Sequence, residues 1–162
     1  MSARSIGIGV VAGLCGAVLI DLYLIVSEPW VARHVTALLV MQWDASNLLG
    51  AAAYRGGWVT AAFGTLLHFC VSIVWGILFV FIVERVARLR EHALFAGVLL
   101  GIVAMAVMRL VIHFGHAVVR PFPSAGMFLY NLIAHVVFFG IPVALVATNM
   151  LAQRVDGRRI RV

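Results

Sequence analysis

Residues 93–118 read ALFAGVLLGIVAMAVMRLVIHFGHAV, and the first sixteen of these positions carry no charge. Crossing a bilayer as a helix takes roughly 20 predominantly apolar residues, and this run is long enough. Gly97 and Gly101 near its start would let a second helix approach closely. Its last third breaks the pattern, because Arg109, His113 and His116 fall at i, i+4 and i+7 on one helical face. Charge in lipid is costly, so that face must meet polar partners from other segments.

Three further runs, about 6–27, 58–83 and 127–152, have the same length and character. The chain of 162 residues is 64% hydrophobic and only 11% charged, more apolar surface than a soluble domain of this size can bury. The expectation is a single integral membrane domain over 1–162, an all-α polytopic bundle of four transmembrane helices. Arg4 precedes the first run, but no A-x-A-like cleavage site follows, so the segment reads as an uncleaved first span.

Every basic residue is an arginine. Arg4, Arg85, Arg88, Arg90, Arg154, Arg158, Arg159 and Arg161 fall on one side of a four-span arrangement, against Arg33, Arg55 and Arg120 on the other. That bias places both termini in the cytoplasm. The clustering suits anionic lipid headgroups, and no basic patch interleaved with aromatics suggests nucleic acid. Small-residue faces on the first and third spans favour helix association, within the chain or between copies or other membrane subunits.

The connection from about 28 to 57 is long and not simply polar. Val31, Val35, Leu38 and Leu39 recur at helical spacing among tryptophans, which predicts a helix at the outer interface, or dipping partway in, before Gly56 and Gly57. The two halves resemble each other: spans one and three open on spaced glycines, and spans two and four carry HFCVSIVWG and HVVFFG. Both pairs run in the same direction, as a 2+2 parallel repeat would. Pro142 is expected to kink the fourth span, with Gly140 easing the bend. Cys15 and Cys70 lack any CxxC spacing and read as small buried or lipid-facing side chains.

Counted at about 1.5 Å per residue, Asp21, His68, Arg109, His113 and His135 fall in one layer roughly 8–15 Å below the outer surface. His116 lies between that layer and the surface. The economical pairing is Asp21 with Arg109, leaving the histidines to one another, to Ser72, Tyr130 or Asn131. Four uses of this layer compete. It is a polar plug fixing helix register; or His68 and His135 ligate a b-type haem; or His113 and His116 form a Cu or Zn site with His68 or His135; or the set relays protons. A continuous polar path through the inner half is not visible. No G-x-S-x-G, HExxH or P-loop marks an enzyme. The leading expectation is a non-enzymatic accessory or scaffold subunit, or a homo-oligomer.

The stretch SNLLGAAAYRGGWVTAAFGTLLHFCVSIVWG (46–76), the glycine-rich third span, Arg120-Pro121 and His135 followed by G-I-P-V-A-L resemble uncharacterised small four-span bacterial inner-membrane proteins. More distantly they resemble the YagU-like family. The resemblance covers roughly residues 45–147 and implies a multi-pass protein of the bacterial cytoplasmic membrane. It implies that His68 and His135 are the shared positions, and that Arg109, His113 and His116 are particular to this chain.

Overall fold

The computed structural model describes residues 1–32, 35–116 and 125–159, with side chains up to Gln153. Among the described residues the chain is helical without a strand, and four helices are long and apolar enough to cross a membrane. The protein is an all-α membrane-spanning bundle.

The first span, α1 (Ala3–Val31), starts at Ser2, whose side chain accepts a hydrogen bond from the Ser5 amide. It continues through Pro29, beyond the expected end at 27. Helix α2 (Ala37–Leu49) is capped by Thr36 in the same manner. A 3₁₀ segment (Gly50–Arg55) leads to the second span, α3 (Gly57–Val83). Gly50 and Gly57 bound that segment at φ 56° and 57°, a left-handed conformation that strains any other residue. After the short α4 (Ala87–Glu91) comes the third span, α5 (Ala93–Phe114). Residues 117 and 118 of the expected span lie outside the described residues. The fourth span is composite: α6 (Ala125–Ile133), a π-helical turn (Ala134–Gly140) and α7 (Ile141–Arg159).

A helix does form within the expected connection: α2 packs on α3. Gln42, Ala45 and Ser46 form its buried face. A Cβ on Gly64 would strike the Met41 carbonyl oxygen and stand 3.0 Å from the Ala45 amide nitrogen, so only glycine admits the α2 backbone there. The Gln42 amide donates to the Gly57 carbonyl at 2.9 Å and to Thr60 at 3.1 Å, fastening α2 to the start of α3.

Glycine contacts build two helix pairs with the same geometry. In the first pair, a Cβ on Gly76 of α3 would strike the Gly9 carbonyl oxygen of α1, and one on Gly13 would lie 2.7 Å from Ile73 Cα. In the second, a Cβ on Gly140 would strike the Gly97 carbonyl oxygen of α5, and one on Gly101 would lie 2.6 Å from Val136 Cα. These contacts align the two pairs position by position, in the same chain direction. Gly9 and Gly13 match Gly97 and Gly101, Gly76 matches Gly140, and Ser72 matches His135.

One detail departs from the sequence pattern. Gly76 stands at i+3 from Ile73, but Gly140 stands at i+4 from Val136. The extra residue is absorbed in the π turn. That turn ends two residues before Pro142, which has no amide hydrogen and whose ring crowds the carbonyl four residues back. With this register, His68 matches Asn131 rather than His135, and Asp21 matches Arg109.

The pairs join through α1 and the fourth span, where Gly16 abuts Phe139 and Val143. Helices α1 and α5 both pack on the fourth span, and neither α1 nor α3 has more than marginal contact with α5. At the end bearing the N-terminus and α4, Phe79, Val80, Val83, Val143, Ala147 and Leu151 close an apolar core. Ser5 hydrogen-bonds Glu84 there at 2.5 Å, tying α1 to the end of α3. At the other end the helices leave a space.

Candidate functional site

That space is a partly open cavity of about 1120 Å³. Matching positions of the two pairs face it: Asp21, His68 and Ser72 from the first, Arg109, Asn131 and His135 from the second. The rest of its wall is mainly aliphatic and aromatic, with Glu28 of α1 and Asp44 and Asn47 of α2 adding polar groups.

His68 is the best-anchored of these side chains. Its Nδ1 lies 3.1 Å from Asp44 Oδ2 and 3.4 Å from Asp21 Oδ1. With both carboxylates ionised, Nδ1 carries a proton and donates, and Nε2 is the remaining edge of the ring. The expected pairing of Asp21 with Arg109 is therefore corrected: the ion partner of Asp21 is His68. The glycine seat of α1 on α3 brings those two residues together, while Arg109 occupies the matching place on α5, a helix with which α1 has no more than marginal contact.

His135 is the second residue of the π turn. Its Nδ1 lies 2.8 Å from the Asn131 carbonyl, to which it donates, so that Nε2 is an acceptor in the neutral ring. The Asn131 amide in turn donates to the Met127 carbonyl at 3.0 Å. His68, Arg109 and Asp44 all lie within electrostatic reach of His135. Beside the cavity, Ser27 bonds the Tyr130 hydroxyl at 2.7 Å, and Tyr23 stacks on Phe138 with ring centroids 4.1 Å apart. These contacts lock α1 to the fourth span around Glu28, which is buried.

His113 and His116 are placed elsewhere. Both are exposed on the bundle surface, and neither borders the cavity. His113 rests edge-on against Phe114, centroids 5.0 Å apart. A site built from that pair with His68 or His135 is not assembled, and no cluster suited to holding a metal ion occurs among the described residues.

Asp44 and Asn47 are the members the sequence reading missed. The signal was present in MQWDASN: Gln42, Ala45 and Ser46 form a small, polar stripe at i, i+3 and i+4, facing Gly64 of α3. The larger apolar residues Leu38 and Leu39 drew the eye to a different face. Compared with protein-family models, curated sequences and solved structures, the chain matches none.

Proposed function

We propose that this membrane protein is a non-enzymatic accessory protein of the bacterial cytoplasmic membrane, N- and C-termini inside, that holds an amphipathic small molecule between its helix pairs. The cavity carries this reading. A polar plug that only fixed register would close on itself at the density of a protein interior. Here the polar groups of both pairs instead face open volume. Self-association or a partner subunit through the small-residue faces is compatible with that role, as is a distant kinship with YagU-like proteins. The closed apolar core at the opposite end supports binding rather than a conduction path.

Native mass spectrometry of the protein released from mild detergent tests the proposal. A bound molecule is expected on the wild type and should be lost in Thr65→Phe, which projects a ring into the cavity. A wild-type protein that carries no adduct, and whose tryptophan fluorescence ignores every added amphiphile, overturns it. Reporter fusions at residues 55 and 88 test the orientation, with only the first expected to be outside.

A b-type haem is the second reading, favoured by one observation: His68 and His135 both have Nδ1 engaged, as axial ligands usually do. Asp21, Asp44 and Glu28 on the same cavity weigh against its two propionates. A Soret band from haem-replete cells, lost in His135→Ala, would establish it.

A further inference from the structure

We infer that the cavity is loaded sideways from the bilayer, between α3 and α5, and takes a lipid whose head is an uncharged hydroxyl. The inference rests on the ligand-binding reading above and adds the route of entry and the class of ligand. Its first ground is an opening at mid-span. Contacts run from α3 to α1, to the fourth span and on to α5. Among the described residues, α3 and α5 have no more than marginal contact, so that circuit is left open between them. Val71, near the middle of α3, borders the cavity and is nonetheless 38% exposed. Met105 and Met108 border it at a comparable depth on α5. The middle of a membrane-spanning helix is surrounded by hydrocarbon, so a mouth between these residues opens on acyl chains.

The second ground is size and lining. A volume of about 1120 Å³ exceeds the roughly 300–1,000 Å³ of a cleft for a drug-sized ligand, which leaves room for a chain as well as a head. Ile20, Leu24, Trp75 and Phe139 supply apolar surface for that chain. Val31 and Gly126, both exposed, mark a second mouth at the outer end, where a water-borne ligand would enter.

The third ground is the depth and chemistry of the polar layer. Asp21, His68 and His135 stand about 15 Å inside the outer ends of their helices, counted along the chain. In a hydrocarbon core some 30 Å thick that is close to the middle. A free ion pays several kcal/mol to travel there through lipid, whereas a neutral hydroxyl pays far less. The side chains at that depth suit such a head. His135 donates from Nδ1 to the Asn131 carbonyl, which leaves Nε2 as an acceptor. Ser72, buried at the matching position of the other helix pair, can donate or accept. A hydroxyl answers both, giving its proton to His135 Nε2 and accepting one from Ser72.

The test uses the full-length protein with Trp30→Phe and Trp58→Phe, which keeps Trp43 and Trp75 on the cavity wall. In phosphatidylcholine vesicles it is given dibromostearyl alcohol, or the same brominated chain ending in sulfate or in trimethylammonium. Bromine quenches a neighbouring tryptophan, and dibrominated phosphatidylcholine supplies the bulk-lipid baseline. The alcohol is expected to quench saturably, at a mole fraction roughly tenfold lower than either ion. Val71→Phe with Met108→Phe narrows the mid-span mouth and should slow the onset several-fold, whereas Val31→Phe at the outer mouth should not. Either single substitution carries the same expectation should the pair fold poorly. Ions that bind as tightly as the alcohol, or an onset slowed by Val31→Phe alone, overturn the inference and leave the ligand-binding reading standing. Absence of saturable quenching by all three probes also overturns it. An adduct in native mass spectrometry would then still preserve the ligand-binding reading, and its absence would remove both.

Discussion

Asp44 of α2 holds His68 of α3 through a 3.1 Å contact to Nδ1, so a helix that does not span the bundle supplies a carboxylate to its polar cavity. Replacing Asp44 by Leu removes this tie and leaves His68 with Asp21 alone. The expected loss is about 0.5–1.5 kcal/mol, the net worth of one hydrogen bond whose donor keeps another acceptor. Thermal unfolding in detergent should report it. Amide exchange should rise over residues 37–49 and stay unchanged in α5.

The seat of α2 can be tested from the other side. Gly64→Ala puts a methyl group on the Met41 carbonyl, a backbone atom that has nowhere to go. Helix α2 should lift from α3, with exchange increasing over the same residues although Asp44 and His68 are intact. Unaltered protection of α2 would show that the close approach is not what holds it.

The matching helix pairs predict matching sensitivities. Gly76→Ala and Gly140→Ala each drive a Cβ into the carbonyl oxygen of a facing glycine. Both should lower the melting temperature by a similar amount, corresponding to about 1–3 kcal/mol for overpacking. Gly7→Ala, with nothing within 4 Å of the added carbon, serves as the silent control. Strongly unequal losses at 76 and 140 would argue against equivalent seats.

A double-mutant cycle distinguishes the ion partner of Asp21. Asp21→Asn and His68→Gln should be non-additive, with a coupling of about 0.5–3 kcal/mol, whereas Asp21→Asn and Arg109→Gln should combine nearly additively. Stability by chemical denaturation in detergent is the measurement. The reverse pattern would restore the pairing expected from the sequence.

His113→Leu and His116→Leu are expected to leave both stability and ligand retention unchanged, since both side chains are exposed away from the cavity. Loss of the adduct in native mass spectrometry on either substitution would contradict that placement.

The spans were legible because hydropathy over some twenty residues is a direct statement about solvent. Asp21, His68, Arg109 and His135 were legible as one layer because charge in lipid must converge. Their pairing was not. Periodicity tells which face of a helix a residue occupies but not which helix it meets, and the seat of α1 on α3 decided for His68. Asp44 escaped because α2 buries Gln42, Ala45 and Ser46, small or polar side chains that hydropathy scores as surface. The repeat was visible in its glycines, yet matching the two histidine motifs directly gave the wrong register, since the inserted residue in the fourth span carries no signature of its own.

That inserted residue has a consequence for how two similar halves come to differ. One residue turns a helix by about 100°, so an insertion re-phases everything on one side of it while the other side keeps its seat. In the fourth span the glycine seat at Gly140 is preserved, and the re-phasing brings His135, not Val136, to the position that Ser72 holds in the first pair. A single added residue, rather than a set of exchanged side chains, thus gives the second helix pair an imidazole where the first has a hydroxyl.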